Sequence, residues 1–209
     1  MIHNIIFDFG NVLFDLDLGA FEREMKNLLG EKFASAKEKL LHERVFELYE
    51  TGGLSTPEFV EKLCFASDVP LAPEQVVDAW NAILIGMPRH RFELLFRLRQ
   101  HYKVFLLSNI NELHEHWIAD YVQREHGFAD YESRHFDGAY FSHLIRLRKP
   151  TRESFEYVLA DAELLPEQTV FFDDLPENVE AANQVGIQGI WHEPGTEIEA
   201  RLVDLGYLE

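Results

Sequence analysis

Short apolar runs that each stop at a polar residue do most to limit what this 209-residue chain can fold into. The first run, residues 4–7, reads Asn-Ile-Ile-Phe and stops at Asp8. Three more runs are similarly short and apolar, at residues 104–107, 169–172 and 189–191, and residues 139–141 form a weaker one. Unbroken apolarity over so few residues predicts strands that are buried on both faces, as in a parallel sheet.

Helical sequence between these runs favours an α/β fold, with a Rossmann-like parallel sheet and right-handed crossovers. The helix predicted over residues 91–102 should turn Phe92, Leu95 and Phe96 toward the core. Further helices are predicted over residues 112–119, 151–162 and 176–185. Since the strands are predicted to be buried on both faces, these helices should cover both faces of the sheet.

Residues 16–86 have a different character, because they are helical by pattern and contain no convincing strand. Residues 55–58, Ser-Thr-Pro-Glu, form a capping box with proline in the first turn, and a second helix begins at Pro73. So much helical sequence is too long for a single crossover. We therefore expect an α/β core formed by residues 1–15 and 87–209, with an inserted helical cap domain formed by residues 16–86.

The charge balance restricts the partners that the chain can bind. Nineteen Lys and Arg residues stand against 37 Asp and Glu residues, for a net charge of −18. Such a surface repels phosphate backbones and anionic lipid, so neither nucleic acid nor a membrane is a predicted partner. The N-terminal residues show no leader pattern and a single cysteine, Cys64, allows no intrachain disulfide, so a cytoplasmic protein is predicted. Nothing in the sequence predicts an oligomeric state.

Polar side chains gather where the predicted strands end. Asp8 follows the first strand, Ser108 and Asn109 follow the second, and the pair Asp173 and Asp174 follows the run at 169–172. Because the carboxyl ends of parallel strands share one edge, these groups can converge in one crevice. Any one of them alone is more simply explained as a turn residue or a helix cap. The adjacent carboxylates are the exception, since they repel each other unless a cation is near.

Together with Lys149, these residues fit phosphoryl transfer, which needs an in-line nucleophile and positive charge around the phosphoryl oxygens. Asp8 is the predicted nucleophile and Lys149 the fixed positive charge. Ser108 and Asn109 are predicted to bind phosphate beside Lys149. Mg²⁺ prefers carboxylates and water, and it would be held by Asp8, Asp174 and Asp173. The prediction is a magnesium-dependent phosphatase that acts on a small phosphorylated metabolite through an aspartyl-phosphate.

Four segments resemble, in order, the motifs of the haloacid dehalogenase superfamily of phosphohydrolases. They are residues 5–12 (Ile-Ile-Phe-Asp-Phe-Gly-Asn-Val), 104–109 (Val-Phe-Leu-Leu-Ser-Asn), 148–150 (Arg-Lys-Pro) and 170–178 (Val-Phe-Phe-Asp-Asp-Leu-Pro-Glu-Asn). The resemblance covers the whole chain and includes a helical cap inserted between the first and second motifs. It also implies that the backbone carbonyl of Gly10 is a further metal ligand.

Gly10 is also where the chain departs from the superfamily pattern. Most phosphatases of the superfamily have a second aspartate at this position, as general acid and base. The sequence here instead resembles the branch that contains the bacterial α-D-glucose-1-phosphate phosphatase, which makes a sugar phosphate a candidate substrate. An anomeric oxygen leaves more easily than an ordinary alkoxide, so such a substrate depends less on an acid. Water or Asp15 could supply the proton instead, although a hinge or helix cap is the simpler role for Asp15.

Three other functions use some of the same residues. A metal-independent 2-haloacid dehalogenase would share the nucleophilic aspartate, the serine and the lysine, but it has no use for an acidic pair. A receiver-like phosphoacceptor would have the acidic pair after the first strand, which is the reverse of the order seen here. A phosphate-binding pseudoenzyme is favoured by Gly10 alone.

Overall fold

The computed structural model describes residues 1–208, and its strands and helices are numbered here in chain order. The strands are β1 (Asn4–Phe7), β2 (Asp15–Leu16), β3 (Leu84–Gly86), β4 (Lys103–Ser108), β5 (Gly138–Phe141), β6 (Thr169–Asp173) and β7 (Gln188–Trp191). The α-helices are α1 (Ala20–Leu29), α2 (Phe33–His42), α3 (Val45–Glu50), α4 (Thr56–Cys64), α5 (Pro73–Asn81), α6 (Arg89–Leu98), α7 (Glu112–His126), α8 (Tyr131–His135), α9 (Ser142–Ile145), α10 (Arg152–Asp161), α11 (Pro176–Gln184) and α12 (Ile198–Asp204). Two short 3-10 helices span Gly30–Lys32 and Pro166–Gln168.

Five of the strands form one parallel sheet in the order β5-β4-β1-β6-β7. All five apolar runs of the sequence are strands of this sheet, including the weak run at 139–141, and the predicted Rossmann-like α/β fold is confirmed. In β1, Ile5 and Phe7 pack in a layer with α6, α7 and α12, whereas Ile6 packs in the opposite layer with α10 and α11. The sheet is therefore buried on both faces, as its continuous apolar strands require.

The prediction that Phe96 faces the core is wrong, because its side chain is 63% exposed. Phe92 and Leu95 of the same helix, α6, are buried as predicted. Phe96 lies one residue beyond Leu95, which turns it about 100° around the helix and away from the sheet.

Helices α1 to α5 lie between β1 and α6 in the chain and enclose a hydrophobic core of their own. It contains Met25, Phe59, Cys64 and Trp80, all buried. The expectation of no strand in residues 16–86 is wrong at both ends of this segment, where β2 and β3 pair as an antiparallel ribbon. Strands of two and three residues are too short to show an alternating pattern. None of the described helices has both the length and the apolarity to cross a bilayer.

Candidate active site

Three carboxylates and one ammonium group meet at the carboxyl edge of the sheet. Asp8 follows β1, Asp173 ends β6 and Asp174 comes next, and a carboxylate oxygen from each lies within 4.8 Å of the others. The Nζ of Lys149 donates hydrogen bonds to Asp8 Oδ1 at 2.5 Å and to Asp173 Oδ2 at 2.7 Å. The parallel strands thus bring together residues that are up to 166 positions apart in the chain, as the sequence analysis expected.

Burial sets the protonation of these groups. Burial alone would lower the pKa of Lys149, but the charges and hydrogen bonds of Asp8 and Asp173 more than offset it, so the pKa is raised and Lys149 stays charged. Burial raises the pKa of Asp8 to about 7, with Lys149 opposing the shift and Asp173 adding to it. Burial also raises the pKa of Asp174. One ammonium faces three carboxylates, so the site has an excess of negative charge that a cation would neutralise.

The carboxylates differ in how many hydrogen bonds the protein already makes to them. Asp173 accepts from the Leu175 backbone N–H at 2.8 Å and from Asn178 Nδ2 at 2.9 and 3.0 Å, in addition to Lys149. Asp174 Oδ2 accepts from the side chain of Asn11 at 3.0 Å. Asp173 is the most heavily hydrogen-bonded of the three and is suited to holding Lys149 in place. Asp8 and Asp174 are better placed to bind a cation directly.

The donor chemistry fits a hard divalent cation. Oxygen ligands from two or three carboxylates, with water completing the shell, are the set that Mg²⁺ prefers. Gly10, whose carbonyl is the fourth predicted protein ligand, lines the same cavity as Asp8 and Asp174. All four predicted metal ligands therefore lie in one region of the structure.

Ser108 and Asn109 lie at the end of β4 and line this cavity. The Ser108 side chain is buried there. The Asn109 carboxamide donates to the Lys149 carbonyl at 2.9 Å and accepts from the Lys149 backbone N–H at 2.9 Å. Asn109 therefore positions the segment that carries Lys149, and its predicted contact with phosphate stays a prediction.

The space next to Gly10 is already filled. A Cβ atom at Gly10 would lie 2.6 Å from Leu16 Cδ1, so Leu16 of β2 occupies the region where a side chain at this position would begin. Asp15, the alternative proton donor, accepts a hydrogen bond from Arg91 Nη1 at 2.7 Å and is not among the residues that line the cavity. The pair links β2 to α6, and the hinge or helix-cap role of Asp15 stays a prediction.

A cavity of about 270 Å³ opens above the aspartate cluster. Much of its wall is apolar, and it includes side chains from both the sheet edge and the helices α3 and α5. Polar residues in the wall that had no assigned role are Asn11, Glu50, Asn111, His114, Arg148 and Asn178. The position of Asn178 in the first turn after the acidic pair was a usable signal, because side chains there can turn back toward the strand end.

His114 is a buried neutral residue of the cavity wall. Its ring stacks on Trp80 with centroids 4.9 Å apart, and its Nε2 lies 3.1 Å from the Trp80 carbonyl oxygen. Asn111 Nδ2 lies 3.1 Å from Nδ1, so the neutral ring donates to Trp80 and accepts from Asn111. Burial lowers the pKa of His114 to about 4. His114 therefore connects α7, which packs on the sheet, to α5, one of the five helices α1 to α5 that together form the helical layer.

Comparisons with known proteins agree with this architecture. The chain is 29% identical to D-ribitol-5-phosphate phosphatase of Bacteroides thetaiotaomicron over 201 residues, which cover 94% of this chain and 95% of the relative. It is 27% identical to a sesquiterpene phosphatase of Aspergillus oryzae over 191 residues, covering 88% and 87% of the two chains. A crystal structure of a HAD family enzyme from Bacteroides thetaiotaomicron, in complex with magnesium and inorganic phosphate, superposes with a TM-score of 0.84 at 28% identity, covering 96% and 99%.

The match to a family model covers most of the chain. Residues 2–186 match the model described as haloacid dehalogenase-like hydrolase. The superfamily predicted from the four motifs is confirmed, and the names of the two relatives agree with the predicted class of enzyme, a phosphoric monoester hydrolase. The narrower branch with the α-D-glucose-1-phosphate phosphatase stays a prediction. This chain belongs to the haloacid dehalogenase-like hydrolases.

Proposed function

We propose that this protein is a magnesium-dependent phosphatase that hydrolyses a small phosphorylated metabolite, with Asp8 as nucleophile. One observation carries the proposal: Lys149 Nζ lies between Asp8 and Asp173, 2.5 and 2.7 Å from their oxygens, beside Asp174. A carboxylate nucleophile, a fixed ammonium and a cation-binding acidic pair are the parts that phosphoryl transfer requires.

The proposed reaction has two steps. A carboxylate oxygen of Asp8 attacks phosphorus, the bond from phosphorus to the leaving oxygen breaks, and an aspartyl-phosphate forms. Water then attacks phosphorus, and the bond from phosphorus to the Asp8 oxygen breaks. The Asp8 carboxylate is restored, and inorganic phosphate leaves after the attacking water loses a proton to solvent. Lys149 and the Ser108 hydroxyl donate to the phosphoryl oxygens, where negative charge is concentrated in both transition states.

Mg²⁺ would be held by Asp8, Asp174 and the Gly10 carbonyl, with Asp173 behind them, and would supply positive charge that offsets the repulsion between Asp8 and a phosphate dianion. Positive charge at the cluster also lowers the pKa of Asp8, which burial otherwise raises to about 7. Asp8 is then ionised and able to attack at neutral pH.

A sugar or sugar-alcohol phosphate is the proposed kind of substrate. The relative of 29% identity is named for D-ribitol 5-phosphate, and a cavity of about 270 Å³ can hold a leaving group of that size. No acid side chain occupies position 10, so protonation of the leaving oxygen falls to water or to the substrate.

Release of phosphate with and without EDTA tests the proposal. The purified protein should hydrolyse phosphomonoesters with added Mg²⁺, and an excess of EDTA should abolish the activity reversibly. Release of halide from 2-haloacids in EDTA would establish the dehalogenase instead. Phosphate binding without turnover of any ester would establish the pseudoenzyme.

A further inference from the structure

An ion pair stands in the cavity wall apart from the aspartate cluster. Glu50 is the last residue of α3, and Arg148 directly precedes Lys149 in the loop after α9. Arg148 Nη2 lies 3.1 Å from Glu50 Oε2, and both residues line the cavity. The proposed phosphoryl transfer gives neither residue a task.

The pair is incompletely satisfied for its degree of burial. The side chains of Glu50 and Arg148 are 24% and 35% exposed, respectively. The Nε of Arg148 is buried, and within residues 1–208 it has no hydrogen-bond partner. The Glu50 side chain is mostly removed from water, and this burial raises the pKa of Glu50 against the lowering effect of Arg148. Buried polar groups with missing hydrogen bonds are stabilised by a ligand that supplies donors or acceptors for them.

Most of the other polar side chains of the cavity wall already have hydrogen-bond partners within the protein. Asn11 donates to Asp174, Asn178 donates to Asp173, and Asn111 accepts from Trp80. Ten of the residues that line the cavity are apolar or aromatic: Phe9, Phe14, Leu16, Leu18, Trp80, Ile83, Leu84, Ile110, Ile118 and Leu175. The cluster of Asp8, Lys149 and Asp174 is committed to the phosphoryl group and the metal. A charged pair in a largely apolar wall fixes the orientation and identity of a ligand, since few polar groups provide most of the specificity in such cavities.

We propose that Glu50 and Arg148 bind hydroxyl groups of the leaving group, so that the substrates are phosphomonoesters of polyhydroxylated alcohols. The Glu50 carboxylate accepts a hydrogen bond from one hydroxyl, and the partly exposed Arg148 guanidinium donates to the oxygen of another. A hydrocarbon leaving group of the same length would displace water from the pair and replace none of its hydrogen bonds. Sites built to bind hydroxyl groups reject analogues that lack them far more strongly than apolar pockets reject an extra hydroxyl. The inference rests on the proposed phosphatase function.

Two substrates that differ only in their hydroxyl groups provide the test. A pentitol 5-phosphate and pentyl phosphate have five-carbon chains and primary leaving oxygens, so their chemical steps are closely matched. The variant with both Glu50→Leu and Arg148→Met removes the pair without leaving either charge buried alone. The matched control carries Arg152→Met and Glu156→Leu, which removes an exposed ion pair of α10 outside the cavity.

The wild type should prefer the pentitol ester over pentyl phosphate by at least about tenfold in kcat/KM. The Glu50 and Arg148 variant should lose at least about tenfold of that preference, mainly through KM for the pentitol ester, while the control keeps it. Equal losses on both esters, with a lowered Tm, would make the pair a structural link and overturn the inference. An unchanged preference would overturn it too. If the wild type hydrolyses neither ester nor any other phosphomonoester, the proposed function itself fails and the inference falls with it.

Discussion

Lys149 shows how one buried side chain sets the charge of the site. Its side chain is 1% exposed, and its ammonium group is held by two carboxylates, Asp8 and Asp173. Removing the ammonium would leave both carboxylates buried without their cation, which is far more destabilising than losing a surface ion pair.

The variant Lys149→Met should therefore lose both activity and stability. We expect kcat to fall at least about a thousandfold, because the positive charge is missing where the transition state needs it. The free energy of unfolding in the absence of Mg²⁺ should fall by about 3 kcal/mol. Added Mg²⁺ should raise the Tm of the variant more than that of the wild type, because it replaces part of the missing charge.

Phosphate release and thermal unfolding with and without Mg²⁺ would measure both effects. The control is Lys103→Met, which removes an exposed lysine at the start of β4. Normal turnover and an unchanged Tm in Lys149→Met would show that Lys149 has neither role.

His114 should make the stability depend on pH. Its pKa is lowered to about 4 in the folded protein, against an ordinary value of about 6.5. Between these values the unfolded chain binds a proton that the folded chain does not, so stability is full above pH 6.5 and falls as the pH drops toward 4. Between pH 7 and pH 5, the protonation of His114 alone should lower the free energy of unfolding by about 2 kcal/mol.

Urea unfolding at pH 7 and pH 5 would measure this contribution. The variant His114→Gln should be less stable at pH 7, but its stability should fall less between the two pH values than that of the wild type. The variant His116→Gln changes an exposed histidine of the same helix and should keep the wild-type difference. An identical fall in all three proteins would show that His114 does not titrate in this range.

At the residue scale, the sequence predicted those site residues that lie directly at the end of an apolar run. Asp8, Ser108, Asp173 and Asp174 each follow an apolar run, and their meeting follows from the geometry of parallel strands. The contacts of His114 were not predictable, because they join α7 to a carbonyl group of α5 across two layers. No local pattern encodes such a pairing.

At the scale of the elements, the ribbon of β2 and β3 is the connection on which the cavity depends. Leu16 of β2 and Leu84 of β3 both line the cavity, and the chain passes through this ribbon on its way into and out of the helical layer. Gly86 ends β3 with φ of 153°, and a Cβ atom there would collide with the hydroxyl oxygen of Tyr121. Only glycine fits that position without a shift of the Tyr121 side chain or of the ribbon.

Gly86→Ala should lower the free energy of unfolding by about 2 kcal/mol or more, because backbone strain and the collision with Tyr121 add together. Gly127→Ala is the matched control, since Gly127 has φ of 77° and open space around it. That variant should lose only about 1 kcal/mol. Urea unfolding of the two variants would measure both changes. An equal fall in the free energy of unfolding would show that the ribbon tolerates a side chain at Gly86.

The elements themselves were predictable to different degrees. Strands of four or more apolar residues, such as β1, were evident because burial on both faces demands them. The sequence did not predict the ribbon of β2 and β3, because strands of two or three residues are too short to show an alternation of apolar and polar residues. The helix α7 continues to His126, well beyond the predicted end at 119, and stops at Gly127 with φ of 77°, a usual C-terminal signal.

At the scale of the whole molecule, the sheet order brings the proposed catalytic groups together without any contribution from helices α1 to α5. β1 lies between β4 and β6, so Asp8 stands between Ser108 and Asp173 at one edge. This part of the site follows from topology and was predictable. The proposed leaving-group side is lined by residues of helices α3 and α5 and by Arg148, and it depends on how these helices pack over the sheet edge. For that reason the proposed specificity pair came from the structure and not from the sequence.

Direct detection of the aspartyl-phosphate tests the central claim. Wild-type protein with Mg²⁺ and a ³²P-labelled phosphomonoester would be quenched in acid within the first turnover, reduced with borohydride and digested for mass spectrometry. The account predicts a labelled protein whose reduction converts residue 8 to homoserine, and an unlabelled, folded and inactive Asp8→Asn variant. Label on a residue other than Asp8, or wild-type turnover by Asp8→Asn, would contradict it.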